Sequence, residues 1–331
     1  MFLMTIKIRS KLPPYYMQVR ENYEMSNKIT VILEIAPRME SVLSLSSSEV
    51  GTILSNTLPI SIRPTKDCRV ERVDLIDVEC PGGNKPGYVG ITFLPGDKVM
   101  LADWNNKQCI LLSPCFKFLA SYKLTGNPAD ICVVDNEEVA LTIPSQNKIQ
   151  ILSVRSDIIS QVSLMTTIHQ CYGIADAGKG NMFVTGDCGN NKYQLSLITM
   201  SGEVKSIFQY DSPSNYWHYL ALDNSRTRIY ISEPSKNSLL CFNISGKKLF
   251  TYSPDNLRWP LVIHVDRDDN IYVVGKNSSN IHQLSPDGSL QQLIINGVPN
   301  YPRIICYNRQ RDVFLVTSLL EGEKLYIYQL K

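Results

Sequence analysis

The sequence predicts an all-β protein, a six-bladed propeller of four-stranded antiparallel blades, on three observations. The first is a short apolar triplet that follows a turn six times along the chain. The triplets begin at Val99, Val139, Met182, Ile229, Ile271 and Val313, and their first residues lie 40, 43, 47, 42 and 42 positions apart. A strand-like repeat with a period in the low forties is typical of propeller blades.

The second observation is an independent landmark that keeps the same phase. An isoleucine or leucine occupies the middle of the first strand of each unit, at Ile91, Ile131, Ile174, Leu220, Ile263 and Ile305. Their spacings are 40, 43, 46, 43 and 42. One such unit cannot bury both of its apolar faces alone, so each needs a neighbour on either side. Six units therefore close a ring.

One complete unit shows what each blade contains. It is most clearly seen between Pro260 and Ile294, where four apolar runs alternate with polar turns. The predicted strands are Leu261–Val265, Ile271–Val274, Ile281–Leu284 and Ser289–Ile294. The first turn, Asp266–Asn270, resembles a calcium loop but lacks the glutamate that ends one. Its residues favour backbone turns, and we expect an ordinary strand connection there.

The third observation concerns the last unit, which is one strand short. Arg303–Tyr307, Val313–Thr317 and Lys324–Tyr328 supply three strands, and Lys331 is the last residue. The stretch Cys68–Val78 alternates in part and precedes the first full unit. We predict that it pairs with the last three strands as the outer strand of the sixth blade, which leaves only short sheet edges. The propeller is then residues 66–331.

Residues 1–65 do not share the repeat. Apolar residues between Asn27 and Leu43 recur at helical spacing, which predicts an amphipathic helix bent at Pro37. A serine-rich linker follows it. Two interpretations stand: a helical remnant of a longer coiled region, through which the chain would self-associate, or a partly disordered tail.

Composition narrows the function classes. The formal net charge of +2 gives no global field toward nucleic acid. Nine cysteines contain no C-x-x-C pair, and Cys132, Cys241 and Cys306 lie in apolar runs. This favours buried free thiols, a reducing compartment and a cytoplasmic location. The apolar Met1–Ile6 is too short for a signal peptide, and no run reaches the roughly 18 residues of a membrane helix.

The unit Leu261–Gly288 resembles an NHL repeat, and residues 66–331 are similar to the propeller of a tripartite-motif (TRIM-NHL) protein. In that family a RING and B-boxes support ubiquitin transfer, whereas the propeller recognises proteins or RNA. This sequence has no cysteine pairs with zinc spacing, so RING and B-box are absent from it. The resemblance therefore implies recognition within a ubiquitination pathway, without ligase activity in this chain.

The loops that lead into the six first strands gather at one end of a propeller axis. We predict a partner-binding surface from the residues at that end. They are Tyr88, Asn127, Tyr172, Tyr216, Trp217, His218, Arg258, Trp259, Tyr301 and Arg303. Aromatic residues and arginine carry much of the energy at protein interfaces, and they also stack unpaired RNA bases. A protein partner is the main hypothesis and single-stranded RNA, in post-transcriptional regulation, is the alternative. The third interpretation is structural, with aromatics that plug the channel mouth or pack between blades.

Catalysis is not expected. Only four histidines exist, and His218 and His264 come from adjacent blades without a third ligand at a matching position. No G-x-S-x-G elbow and no phosphate-binding glycine loop occurs. We predict no cofactor and no metal site. A metal-dependent propeller hydrolase or lyase is the least favoured alternative.

Overall fold

The structure is a computed structural model that describes residues 20–24, 28–32, 70–78, 81, 83–212, 216–296, 299–308, 311–321 and 324–330. Contacts divide the chain into two units, Met1–Pro64 and Thr65–Lys331. The described part of the first unit is an antiparallel hairpin of β1 (Arg20–Glu24) and β2 (Lys28–Ile32). Lys28–Ile32 is thus a strand where we expected a helix, because its β-branched residues suit hairpin pairing. The rest of that predicted helix lies outside the described residues.

The second unit is a ring of six four-stranded antiparallel sheets, so the predicted fold class is confirmed. In each blade the first strand lies at the axis and the fourth at the rim. Blade one contains β4 (Tyr88–Phe93), β5 (Val99–Asp103), β6 (Gln108–Leu112) and β7 (Phe118–Lys123). Blade two contains β8 (Ile131–Asp135), β9 (Glu138–Ile143), β10 (Lys148–Arg155) and β11 (Ile158–Thr166). Blade three contains β12 (Gln170–Gly178), β13 (Asn181–Gly189), β14 (Lys192–Ile198) and β15 (Val204–Asp211).

The other three blades repeat this order. Blade four contains β16 (Leu220–Leu222), β17 (Arg228–Glu233), β18 (Ser238–Asn243) and β19 (Lys248–Tyr252). Blade five contains β20 (Pro260–Val265), β21 (Ile271–Gly275), β22 (Asn280–Leu284) and β23 (Leu290–Asn296). Blade six contains β24 (Pro302–Asn308), β25 (Val313–Ser318), β26 (Lys324–Leu330) and β3 (Val70–Asp77). Three short 3-10 turns, Pro95–Asp97, Pro144–Gln146 and Pro234–Lys236, are the helical elements of the described chain.

The outer strand of blade six comes from the other end of the propeller sequence, as predicted. β3 pairs antiparallel with β26, with Ile76 opposite Leu325 and Leu75 opposite Tyr326. This pairing joins the first and last strands of the ring and replaces the missing fourth strand.

The core lies between blades. Six apolar clusters occur, one at each junction of neighbouring blades. In β5, Val99 and Leu101 pack against blade six, whereas Met100 packs against blade two. Successive side chains of a strand point to opposite faces, and here both faces are covered. This explains why every residue of the repeated triplets is apolar.

The cysteine prediction also holds within the described residues. Cys132, Cys241 and Cys306 are free and buried in these clusters. Burial raises the pKa of Cys306 to about 12, although a backbone hydrogen bond from Phe93 opposes the shift. Such a thiol is a poor nucleophile and behaves as a small apolar residue. No helix in the part of the chain that the structure describes is long and apolar enough to cross a membrane.

Candidate functional site

The ring has two ends, which we name by the direction of the first strands. The upstream face carries the turns that lead into first strands, such as Tyr216–Tyr219, together with the turns that follow second strands. The downstream face carries the turns that follow first strands, such as Pro95–Asp97. All ten residues of the predicted surface belong to the upstream side of their blades. They divide into buried, mouth-closing and exposed groups.

Three of the predicted residues are buried between blades. Tyr88 lies in the cluster of blades one and six with 1% of its surface exposed, and Tyr172 lies in the cluster of blades three and four. His218 is fully buried, and its ring stacks on Tyr193 at a centroid distance of 3.9 Å. The burial of these three side chains between blades is the arrangement that the structural interpretation describes.

The environment of His218 keeps it neutral. Its Nδ1 hydrogen-bonds the Tyr210 hydroxyl at 2.9 Å, and its Nε2 lies 3.4 Å from the Ser212 hydroxyl. Burial lowers the pKa of His218 to about 4, with Glu233 opposing and Lys236 supporting the shift. His218 is therefore a core residue that joins blade three to blade four.

Trp217 closes the upstream mouth of the axis. Its ring lies 4.7 Å from that of Trp104 in blade one and 6.2 Å from that of Tyr172 in blade three. Asn127 donates a hydrogen bond of 2.7 Å from Nδ2 to the Trp104 carbonyl oxygen, which fixes the turn that carries Trp104. Blades one and four face each other across the ring. Trp217 thus spans the channel mouth instead of pointing to solvent.

The exposed group lies on blades four, five and six. Tyr216 is 49% exposed and its ring meets that of Trp259 edge-on at 4.6 Å. The Lys276 ammonium lies 6.0 Å from the centre of the Trp259 ring, which is the range of a cation–π contact. Tyr301, on the next blade, is 43% exposed, and Arg258 is exposed beside Trp259. We call Tyr216, Arg258, Trp259, Lys276 and Tyr301 the aromatic patch.

Two members of the aromatic patch have an unusual backbone. Trp259 has a φ of 57° and Tyr301 a φ of 50° at equivalent positions of blades five and six. Bulky residues rarely adopt the left-handed region, which costs roughly 1–2 kcal/mol. Neighbouring groups hold both peptides: the Trp259 N–H donates to Asn237 Oδ1 at 2.8 Å, and the Tyr301 N–H donates to Ser279 Oγ at 3.2 Å. The propeller therefore holds two large aromatic residues in a strained backbone conformation.

Arg303, near the start of β24, is half-buried. It lies close enough to Lys276 and to Tyr219, which is 2% exposed, for its charge to act on both side chains. Burial raises the pKa of Tyr219, and the Arg303 charge opposes the shift.

Sequence reasoning missed Trp104 and Lys276, which belong to turns after second strands. In an antiparallel blade those turns share an end with the loops that lead into first strands, so the strand order alone was a usable signal. It also missed the buried Asp130, because a single carboxylate before a strand carries no motif.

An axial cavity of about 620 Å³ lies below the closed mouth. Its upstream limit is formed by Asp130 and Tyr219, and its walls are first strands from all six blades. The downstream rim includes Asp97, Asp176, Asn224 and Arg226. These rim residues are half-buried or exposed, whereas the upstream limit is buried, so the cavity opens at the downstream face.

Metal-ligand geometry is not evident in the described residues, where no group of three or more His, Cys, Asp or Glu side chains is close enough to hold an ion. His264 is half-buried and lines the cavity, with its ring 6.1 Å from that of Tyr307. The acidic turn after β20 is an ordinary connection, as expected. Asp266 Oδ1 accepts the N–H groups of Asp268 and Asn270 at 2.8 and 2.9 Å.

Fold and site together define a six-bladed propeller with one closed and one open end. Known structures agree with the fold. The chain is similar to a catalytically inactive variant of virginiamycin B lyase from Staphylococcus aureus, solved with quinupristin, at 15% identity over 80% of this chain and 100% of that chain (TM-score 0.57). It is similar to a luciferin-regenerating enzyme at 14% identity over 80% and 95% (TM-score 0.61).

A third similar structure is a protein of unknown function from Bacteroides thetaiotaomicron, at 14% identity over 80% of this chain and 76% of that chain (TM-score 0.64). Identities this low show the fold alone. No family model matches the sequence, and no curated protein matches it.

Proposed function

We propose that this protein is a non-catalytic interaction module that binds short segments of protein partners on the aromatic patch of its upstream face. The observation that carries the proposal is the pair Trp259 and Tyr301. Both are large aromatics in a left-handed backbone at equivalent positions of adjacent blades, with Trp259 half-buried and Tyr301 exposed. Strained residues persist where the surrounding structure holds them, and they concentrate at functional sites.

The chemistry of the patch suits a protein segment. Trp, Tyr and Arg are the residue types most enriched among those that dominate interface energies. Tyr216, Trp259 and Tyr301 offer apolar area, while Arg258 and Lys276 offer positive charge beside it. An extended segment that combines apolar and acidic side chains would satisfy both.

The resemblance to NHL repeats supports recognition as the role of the propeller. The sequence also lacks cysteine pairs with zinc spacing. We therefore propose that this chain is a TRIM-NHL-like recognition unit and not a ubiquitin ligase. Single-stranded RNA is the second candidate, favoured by the cation beside the Trp259 ring. The formal net charge of +2 argues against RNA, because it gives no global field toward nucleic acid.

Peptide selection tests the proposal. A random peptide library is selected on the immobilised full-length protein, and enriched peptides are labelled and titrated by fluorescence polarisation. We expect the double variant Trp259→Gly/Tyr301→Gly to weaken peptide binding by about tenfold or more, since hot-spot aromatics carry roughly 2 kcal/mol or more each. The matched control is Ile158→Ala/Leu249→Ala, which removes two exposed apolar side chains from outer strands.

Labelled oligouridine is titrated in parallel at about 50 and 200 mM salt. RNA binding would fall steeply with salt, because phosphate contacts release counterions. Peptides that bind the wild type and the double variant equally would contradict the proposal. So would oligouridine binding with a steep salt slope and no enriched peptide.

A further inference from the structure

The axial cavity has apolar walls and an acidic lining. Apolar first-strand residues from opposite sides of the ring, including Ile91 and Leu220, form much of the wall. Its volume of about 620 Å³ falls within the roughly 300–1,000 Å³ of small-molecule sites. Sites of this kind use a few polar groups to orient a mostly apolar ligand.

Carboxylates outnumber cations among the residues that line the cavity. The lining contains Asp97, Asp130, Asp176 and Asp223, with Arg226 as its one lysine or arginine. Two of these carboxylates already have cationic partners at the rim. Asp97 lies 2.9 Å from Arg311, and Asp176 lies 2.5 Å from Arg226.

The other two carboxylates are held by neutral donors. Asp130 is 8% exposed, and its two oxygens accept the N–H groups of Ile131 at 2.9 Å and Ile174 at 3.1 Å. Asp223 accepts the N–H groups of Thr227 at 2.7 Å and Arg228 at 2.9 Å. A carboxylate has about four acceptor sites, so Asp130 retains capacity for a further donor. The remaining sites of Asp223 are filled by the hydroxyl groups of Ser225 at 2.7 Å and Thr227 at 3.0 Å.

The surroundings of Asp223 favour its ionised form. Burial raises its pKa, but hydrogen bonds from Arg228, Ser225 and Thr227 more than offset this and lower it. Asp130 differs, because its burial raises its pKa to about 8 despite the hydrogen bonds from Ile174 and Ile131. A cation placed beside Asp130 would restore its ionised form.

From the cavity, its apolar walls and the two carboxylates without cationic partners, we propose that the axial cavity binds a small organic amine with an apolar body. The ligand enters from the downstream face, its apolar part contacts the first strands, and its ammonium group reaches Asp130 at the closed upstream end. This site is separate from the aromatic patch and does not depend on the function proposed for that patch.

The test uses three probes of equal length on the full chain: n-octylamine, n-octanol and octanoate, titrated by isothermal calorimetry at pH 7. We expect saturable one-to-one binding of the amine, with the alcohol and the carboxylate at least about tenfold weaker. Asp130→Asn should weaken the amine by about tenfold or more, which is the size of one charge-assisted contact. Asp135→Asn is the matched control, since Asp135 is an exposed carboxylate of the same blade outside the cavity lining.

A second variant covers the case in which Asp130→Asn does not fold. Thr92 lines the cavity and is half-buried, so Thr92→Arg places a cation in the same space. It should abolish amine binding. Three results would each overturn the proposal. The three probes could bind equally, or the amine could show no saturable binding because the cavity holds only water. The third result is amine binding that survives Thr92→Arg.

Discussion

The rings of Trp217 in blade four and Trp104 in blade one lie 4.7 Å apart, although their blades face each other across the ring. This contact bridges the upstream mouth of the channel. The axial cavity below it is lined at its upstream limit by Asp130 and Tyr219 and opens on the opposite face. One aromatic pair therefore gives the two ends of the propeller different properties.

Removing either member of that pair should destabilise the fold. We expect Trp217→Ala and Trp104→Ala each to lower the free energy of unfolding by about 2–3 kcal/mol, slightly less than for fully buried tryptophan. The double variant should show a coupling of about 0.5–1.5 kcal/mol, as aromatic pairs do. Urea denaturation of the four proteins measures both. The control is Leu320→Ala, which is 56% exposed and should change stability by no more than about 0.5 kcal/mol. Zero coupling would mean that the two rings do not interact in solution.

The strand β3 should be required for cooperative folding. Deletion of residues 66–80 exposes the edge of β26 and uncovers the cluster between blades one and six, to which Val78 belongs. We expect a broad or absent thermal transition, followed by circular dichroism and calorimetry. A shortened chain that melts as sharply as the intact one would contradict the role of β3.

The strain at Trp259 and Tyr301 can be measured directly. Glycine adopts their left-handed φ without cost, whereas alanine carries a Cβ and retains the strain. We expect Trp259→Gly to be about 1 kcal/mol more stable than Trp259→Ala, and the same order at Tyr301. Comparing the two small residues at one site cancels the lost ring. Alanine variants as stable as the glycine variants would argue against backbone strain.

Stability should fall at acidic pH because of buried histidines. Burial is the main cause that lowers the pKa values of His218 and His282 to about 4. Between pH 6.5 and 4 these two histidines bind protons in the unfolded chain but not in the folded protein, so stability decreases as pH falls. Each contributes a loss of about 2 kcal/mol from pH 7 to 5. In urea titrations the free energy of unfolding of His282→Gln should fall by about 2 kcal/mol less than that of the wild type between pH 7 and 5. Parallel pH profiles for the two proteins would refute the assignment.

Asp130 should produce the opposite trend at higher pH. Burial raises the pKa of Asp130 in the folded protein to about 8, well above the roughly 3.9 of an exposed aspartate. From pH 4 to 8 the folded protein keeps a proton that the unfolded chain releases, so stability decreases as pH rises and levels off above pH 8. The expected loss in the free energy of unfolding between pH 5 and 8 is about 3–4 kcal/mol. Asp130→Asn removes the titrating group, and its urea midpoints should be flatter over that interval than those of Asp135→Asn. Identical slopes would show that Asp130 is ionised throughout.

Much of the fold could be predicted from local pattern. Ile91 and its five counterparts lie in first strands, and the triplet Val99–Leu101 lies in a second strand, because a blade is specified by residues near one another in sequence. The N-terminal segment was harder to predict from the sequence. Lys28–Ile32 fits a helical spacing as well as a strand, and pairing with Arg20–Glu24 selects the strand.

The candidate site was only half predictable. The sequence by itself determined the number of blades, the use of β3 to complete the sixth, and the set of aromatics at the upstream end, because these follow from periodicity and strand order. Only the tertiary structure decided that Tyr88 and His218 are buried and that Trp217 reaches across to Trp104. It likewise decided that Trp259 is half-buried and Tyr301 exposed. Those outcomes depend on side chains from blades far apart in the chain, whose distances are set only when the ring closes.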